Sequence, residues 1–161
     1  PIGFGQTISQ PYMTALMAER LELTGKEKVL EVGAGCGYHA AVLGALALRV
    51  ITIEIIPELA AMARENLERT GRSGNVTVIC GDGSAGWPEL APYDAISVAA
   101  AAPGVPPALL EQLADPGAMV IPVGGCSEQQ LQVITRRGGR LQTRTSTPCR
   151  FVPLRGCGGW E

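Results

Sequence analysis

The residues most suited to chemistry lie in a glycine-rich stretch, residues 29–41, with the sequence Val-Leu-Glu-Val-Gly-Ala-Gly-Cys-Gly-Tyr-His-Ala-Ala. Gly33, Gly35 and Gly37 follow a short apolar segment and precede an apolar helical run. A strand that turns through glycines into a helix N-terminus brings backbone N–H groups close to a ligand. In the dinucleotide-binding fingerprint the third glycine lies five residues after the first, a position that Tyr38 occupies here. The spacing therefore favours a nucleoside cofactor without a pyrophosphate.

Two acidic residues follow this loop, each where a predicted strand ends. Glu54 lies about twenty residues after the glycines, where an acid can accept hydrogen bonds from both ribose hydroxyls. The alternative for Glu54 is a solvated charge at a strand end. Asp82 lies between Gly81 and Gly83 and could accept a hydrogen bond from an adenine amino group, with the Gly83 amide approaching the ring. The alternative for Asp82 is an aspartate that satisfies the backbone of its own tight turn.

The order of predicted elements indicates a fold that could bring these residues together. Strands alternate with helices, and the segments 130–136 and 141–147 then alternate around Gly138-Gly139 as a hairpin. We predict an α/β fold with a doubly wound, mostly parallel sheet and an antiparallel C-terminal hairpin. Ligands bind such sheets beyond the carboxyl ends of the strands, so the residues ending the first four strands should converge. The predicted helices span 11–23, 38–47, 57–70 and 107–113, and the predicted strands before the hairpin begin at Val29 and then span 49–56, 75–80, 93–99 and 118–123.

Composition narrows the class of protein. The chain has 161 residues, 46% of them hydrophobic, and a formal net charge of −2, which predicts a single domain over residues 1–161 without a nucleic-acid surface. Prolines interrupt its longest uncharged run, so we expect no membrane span. The five cysteines form no Cys-x-x-Cys pair and the chain has one histidine, which favours reduced thiols, a cytoplasmic location and no bound metal. We expect a monomer.

Three other polar positions have both a structural and a functional interpretation. His39 lies beside an apolar helix face, where a lone histidine is more often structural than ligand-binding. Cys36 is a small residue in a crowded loop, and no base partner for a catalytic thiol is evident in the sequence. Ser9 or Gln10 precedes Pro11 and could simply cap the helix that starts there.

The sequence also resembles known families. The pattern Glu31-x-Gly-x-Gly-x-Gly is similar to the S-adenosylmethionine loop of class I methyltransferases, whose fold is Rossmann-like. Several segments, in the same order along the whole chain, resemble the protein-L-isoaspartate (D-aspartate) O-methyltransferase family. Those at the two ends are close to family-specific, whereas the glycine loop is common to the class. The segments are Gly5–Ser9, Glu31–Tyr38, Gly81–Gly83 with Gly86–Pro88, Ala100–Pro103 and Arg150–Leu154.

The resemblance implies an activity. Members of this family transfer a methyl group from S-adenosyl-L-methionine to the free carboxylate of L-isoaspartyl residues in damaged proteins and peptides, leaving S-adenosyl-L-homocysteine. The ester then cyclises to a succinimide, which hydrolyses in part to normal aspartate. Gln6, Thr7, Ile8 and Ser9 are implied to border cofactor and substrate, with Ser9 as the active-site hydroxyl. Further implied cofactor contacts are Ala34, Ile55 and Gly83.

Three other functions remain open on the sequence. The first is a class I methyltransferase that acts on a small molecule or on an aspartate of a ribosomal peptide. The second is a non-catalytic S-adenosylmethionine-binding module, because family members carry a helical segment before Gly5 and this chain begins almost at that motif. The third, a nicotinamide-dependent reductase, is disfavoured by the glycine spacing.

Overall fold

A seven-stranded sheet organises the computed structural model, which describes residues 1–125 and 127–160. Its spatial order is β3-β2-β1-β4-β5-β6-β7. The first five strands run parallel, and β6 and β7 are each antiparallel to the strand before them. The predicted α/β fold with an antiparallel C-terminal hairpin is therefore confirmed. The strands are β1 (Lys28–Val32), β2 (Arg49–Glu54), β3 (Val76–Cys80), β4 (Tyr93–Val98), β5 (Leu113–Gly124), β6 (Gln129–Arg137) and β7 (Arg140–Cys149).

The helices lie close to their predicted positions. Proline occupies the first turn of α1, α3 and α4, where its missing N–H costs no helical hydrogen bond. Across the described chain, none of the helices combines the length and hydropathy that a membrane span requires. The helices are α1 (Pro11–Arg20), α2 (Tyr38–Leu46), α3 (Pro57–Arg69) and α4 (Pro107–Glu111), and two 3₁₀ turns span Gly83–Ala85 and Pro88–Leu90.

Each face of the sheet carries its own apolar core, because successive strand residues point to opposite faces. Val29 and Val50 pack in a cluster with residues of α1 and α2. Their neighbours Leu30 and Ile51 pack in a second cluster that includes Leu109 of α4. Helices on both faces explain why the central strands are apolar at nearly every position.

The predicted boundary of the fifth strand is wrong. The sequence predicts a turn at Asp115–Gly117 and a strand from Ala118, but β5 begins at Leu113. Leu113 pairs with Tyr93 and Ala118 pairs with Ala95, so the turn residues form an irregularity within the β4–β5 pairing. Turns and β-bulges favour the same residue types, so the sequence pattern alone could not distinguish between them.

The order in which successive strands join the sheet changes direction at β1. From β1 it continues to β2 on one side, and β4 later fills the other side of β1. The connections after β1 and β4 therefore diverge above the carboxyl end of β1 and leave a crevice, the usual ligand position in sheets of this type.

Candidate functional site

A cavity opens above the carboxyl ends of β1, β2 and β4, and we call it the first cavity. It encloses about 780 Å³ of empty space, a figure that includes the open space at its mouth. Most of the residues predicted to bind cofactor line it, and only Gly37 and Asp82 do not. The predicted residues that line it are Gln6, Thr7, Ile8, Ser9, Gly33, Ala34, Gly35, Glu54, Ile55 and Gly83.

The glycine loop connects β1 to α2 through backbone conformations that favour glycine. Gly33, Gly35 and Gly37 have φ angles of +93°, +53° and +87°, which residues with a side chain rarely adopt. Gly37 faces α3 rather than the cavity, because a Cβ there would lie 3.1 Å from the carbonyl oxygen of Ala63. We conclude that Gly37 allows α2 to begin close to α3, whereas Gly33 and Gly35 form the cavity wall.

Glu54, at the end of β2, presents a buried carboxylate to the first cavity. Its side chain is 6% exposed. One carboxylate oxygen accepts the Gly35 N–H at 2.8 Å, and the other accepts the Ile56 N–H at 3.0 Å. No salt bridge reaches it from the described part of the chain. Because each carboxylate oxygen can accept a second hydrogen bond, Glu54 can still bind a pair of hydroxyl groups in the cavity.

Asp82 holds two loops together instead of lining the cavity. It accepts hydrogen bonds from the backbone and hydroxyl of Ser84, at 2.9 and 2.6 Å, and from the Cys157 N–H at 2.9 Å. Burial alone would raise the pKa of Asp82, but these hydrogen bonds lower the pKa below its usual value. The structure thus contains the turn contact that was the alternative interpretation of Asp82, and its contact with an adenine group stays a prediction.

Gly83, directly after Asp82, reaches the first cavity. A Cβ at Gly83 would lie 2.6 Å from Cγ1 of Val32, so any side chain would displace a residue at the end of β1. Glycine at this position therefore lets the chain after β3 pack closely against the end of β1, and the approach of its amide to a flat ring stays a prediction.

Residues 6–9 form part of the lining of the first cavity. Ile2 and Gln6 are joined by a backbone hydrogen bond of 3.0 Å, and Ile2 approaches the glycine loop at Gly35. The N-cap residue of α1 is Gln10, whose side chain makes no capping hydrogen bond. Helix capping does not account for Gln10, and half-buried Ser9 lines the cavity.

A second cavity adjoins the first, and the two share the segment 7–9 as a wall. Val152 and Pro153 also line both cavities, and Gln129 lines the second. The resemblance had marked the segment Arg150–Leu154, but Gln129 gave no signal, because a glutamine at the start of a strand usually points to solvent. The other lining residues of the second cavity are Gln10, Met13, Ala99, Gly125, Pro148, Cys149, Arg150, Phe151 and Trp160.

A buried polar pair lies beneath the first cavity. His39 Nδ1 is 3.6 Å from a carboxylate oxygen of Glu31, whose second oxygen accepts a hydrogen bond from the Thr52 hydroxyl. Burial raises the pKa of Glu31 to about 8; the Thr52 hydrogen bond opposes this shift and repulsion from Glu54 adds to it. Burial lowers the pKa of His39 to about 4. At neutral pH both side chains are therefore largely uncharged, and His39 both fills the core and lines the cavity.

Metal chemistry has no evident centre in residues 1–125 and 127–160. No three histidine, cysteine, aspartate or glutamate side chains there are grouped so that they could hold a metal ion.

The chain is similar to known proteins along nearly its whole length. The protein-L-isoaspartate(D-aspartate) O-methyltransferase family matches residues 1–158. Protein-L-isoaspartate O-methyltransferase 2 of Marinobacter nauticus is 59% identical over 162 residues, which cover 99% of this chain and 74% of that relative.

Two solved structures are similar over nearly the whole chain. A protein-L-isoaspartate O-methyltransferase has a TM-score of 0.86 and 32% identity, over 94% of this chain and 49% of its own. A Plasmodium falciparum protein, assigned to the same activity and solved with S-adenosyl-L-homocysteine, has a TM-score of 0.83 and 28% identity, over 96% of this chain and 78% of its own.

This chain thus spans about half of the first of those structures. The fold is that of the class I S-adenosylmethionine-dependent methyltransferases. With a family match over residues 1–158 and sequence identity above one half, the chain belongs to the protein-L-isoaspartate(D-aspartate) O-methyltransferase family.

Proposed function

We propose that this protein transfers the methyl group of S-adenosyl-L-methionine to the free carboxylate of L-isoaspartyl residues in proteins and peptides. The observation that carries the proposal is the position of residues 7–9, which line both cavities at once. A transfer reaction needs cavities that adjoin in this way, because donor and acceptor must meet with their reacting atoms about 3 Å apart. The family match and the names of the relatives support the choice of substrate.

The residues of the first cavity fit this cofactor. The buried carboxylate of Glu54 has unused acceptor capacity, as the two hydroxyls of a ribose require. The Gly33–Gly35 loop and Gly83 line the cavity and present backbone without a bulky side chain to a bound nucleoside. A carboxylate without a cationic partner in the described chain suits a cofactor that carries a positive sulfonium.

The second cavity fits an anionic acceptor. Its described lining includes one charged residue, the cation Arg150, and no aspartate or glutamate. An acceptor carboxylate therefore meets an attractive charge and no like charge at this wall. A cationic amine acceptor would meet the opposite arrangement.

The chemistry requires little from side chains. The cofactor supplies a methyl group on a sulfonium, which is a built-in leaving group. A carboxylate with an ordinary pKa of about 4 is already ionised at neutral pH, so the reaction needs no general base. His39, whose pKa is lowered to about 4, is uncharged at that pH and need not act. We assign to Ser9 the donation of a hydrogen bond that orients the acceptor carboxylate.

Matched peptides test the proposed function. Purified protein is offered the same peptide with an L-isoaspartyl or a normal aspartyl residue, and transfer of labelled methyl groups is measured. We expect transfer to the isoaspartyl peptide alone. Equal transfer to both peptides, or transfer to neither, contradicts the proposal.

A Ser9→Ala variant tests the role of the hydroxyl. Loss of one hydrogen bond to a charged group should lower kcat/KM for the isoaspartyl peptide about tenfold or more. Binding of S-adenosyl-L-homocysteine, measured by calorimetry, should stay close to that of the wild type. Ser73→Ala, on an exposed loop, is the matched control. Wild-type transfer by the Ser9 variant would refute this role for Ser9.

A further inference from the structure

We propose that Gln129 is a positioning residue for the acceptor, because its side-chain amide fixes the segment Arg150–Leu154, which we call the C-terminal wall. The inference rests on the proposed function and concerns its acceptor side. Gln129 is the first residue of β6 and is only 4% exposed. A buried amide at a strand start is costly unless its donor and acceptor are both satisfied.

Both polar atoms of the Gln129 side chain form hydrogen bonds with one residue of that wall, Phe151. Its Nε2 donates to the carbonyl oxygen of Phe151 at 3.1 Å, and its Oε1 accepts the Phe151 N–H at 2.6 Å. Both backbone polar groups of Phe151 are thus bonded to one amide, as they would be to a neighbouring strand.

The wall needs this support because it lies outside the sheet. β7 ends at Cys149, and residues 150–152 belong to no strand. Farther along, the Ala101 N–H donates to the Val152 carbonyl and the Leu154 N–H donates to the Ala101 carbonyl, both at 2.8 Å. Ala101 therefore holds the part of the wall toward Leu154, and Gln129 holds the part that begins at Phe151.

The two anchors serve different cavities. Arg150 and Phe151 line the second cavity and not the first, whereas Leu154 lines the first and not the second. Loss of the Gln129 hydrogen bonds should let Arg150 and Phe151 move, whereas the hydrogen bonds of Ala101 with Val152 and Leu154 should remain. Acceptor binding should then weaken while cofactor binding persists.

Gln112 provides a matched comparison within the same chain. It is 8% exposed, its Oε1 accepts the Trp87 N–H and its Nε2 donates to the Ala85 carbonyl, each at 2.8 Å. The Gln112 amide therefore holds the segment that follows Gly83, and Gly83 itself lines the first cavity. Gln112 and Gln129 thus make the same kind of paired contact, one with the segment after Gly83 and the other with Phe151.

The test compares Gln129→Leu with Gln112→Leu, using an isoaspartyl peptide as acceptor and calorimetry with S-adenosyl-L-homocysteine. We expect Gln129→Leu to raise the peptide KM about tenfold or more, as loss of positioning implies, with cofactor affinity within about twofold. Gln112→Leu should weaken cofactor binding and leave the peptide KM near wild type. Equal changes of peptide KM in both variants, tracking lost thermal stability, overturn the positioning role.

A Gln129→Glu variant keeps the shape of the side chain and serves if the leucine variant fails to fold. An ionised glutamate accepts from Phe151 N–H but cannot donate to its carbonyl, whereas a protonated one can do both. The peptide KM of Gln129→Glu should therefore approach that of the wild type as pH falls. A pH profile parallel to that of the wild type contradicts the inference.

The two proposals fail in different ways. A wild-type chain that methylates no isoaspartyl peptide overturns the proposed function. An active wild type combined with an unchanged peptide KM in Gln129→Leu overturns the positioning role alone.

Discussion

The two cavities meet at residues 7–9 but are built in different ways. The first consists mainly of short segments that follow the parallel strands, namely the glycine loop after β1, Glu54 at the end of β2 and Gly83 after β3. The second is assembled mainly from the two ends of the described chain, the segment before α1 and the segment 148–153. One cavity is thus a consequence of sheet topology, and the other depends on side-chain anchors.

This difference suggests how each cavity responds to change. Strand ends are held by backbone hydrogen bonds within the sheet, so the first cavity should be sensitive mainly to the few side chains and glycines that shape it. Segments outside the sheet are held by a few contacts, such as those of the Gln129 amide, so the second cavity should change when one anchor is lost. Substitutions confined to the first cavity should therefore change cofactor binding and leave acceptor KM nearly constant.

Glu54→Gln should give the largest separation of the two effects. The variant has a neutral side chain in place of the carboxylate. Its amide NH₂, a donor, must face either the Gly35 N–H or the Ile56 N–H, which are donors too. Hydrogen bonds to a charged group contribute about 1.5–3 kcal/mol each, so cofactor affinity should fall about 100-fold. Calorimetry with S-adenosyl-L-homocysteine measures the fall.

The exposed Glu58 lies in the first turn of α3, outside both cavities, and Glu58→Gln is the control. Peptide KM at saturating cofactor should be similar in Glu54→Gln and wild type. A rise in peptide KM as large as the loss of cofactor affinity would show that the two cavities are not separable.

Gly83→Ala should have the next largest effect. Its Cβ would lie 2.6 Å from Cγ1 of Val32, and overpacking of this kind costs about 1–3 kcal/mol. We expect a lower melting temperature by calorimetry and weaker cofactor binding. Gly81→Ala is the matched control, because nothing lies within 4 Å of a Cβ built there. Equal losses in the two variants would mean that the site does not depend on space at Gly83.

Most of the residues that the sequence marks for cofactor binding line the first cavity, and the reason is physical. Glycines after a strand, an acid at the next strand end and the rule of carboxyl-end binding are local signals that topology brings together. Gly37 and Asp82 do not line the cavity. The sequence could not show this, because a local motif does not reveal which side a loop residue faces. Gly37 packs against Ala63, and the Asp82 carboxylate bonds to Ser84 and Cys157.

The second cavity could not be derived from local patterns. Gln129 is 22 positions from Phe151 in the sequence, and nothing in a single glutamine indicates that distant contact. Only the resemblance at Gly5–Ser9 and Arg150–Leu154 marked the segments that meet there. Contacts between segments far apart in sequence need either a structure or related sequences to be found.

The smallest predicted effect concerns Glu31, which lies beneath the first cavity. Burial raises its folded-state pKa from 4.5 to about 8. Between those two values an unfolded chain has Glu31 ionised while the folded protein keeps it protonated, so stability falls as pH rises. His39, with a pKa lowered from 6.5 to about 4, acts in the opposite direction and only below pH 6.5. The effect of Glu31 should therefore appear alone between pH 6.5 and 8.

In that interval the wild-type free energy of unfolding should fall by on the order of 1 kcal/mol per pH unit from Glu31. Glu31→Gln keeps an acceptor for the Thr52 hydroxyl and should remove that slope, whereas Glu65→Gln, exposed on α3, should retain it. Urea unfolding at several pH values measures the slopes. The peptide KM provides a second measurement. Because Glu31 does not line the second cavity, the pH dependence of the peptide KM should be the same in Glu31→Gln and wild type. A slope that persists in Glu31→Gln would mean that Glu31 is ionised in the folded protein, and a shifted peptide KM profile would mean that charge beneath the first cavity reaches the acceptor.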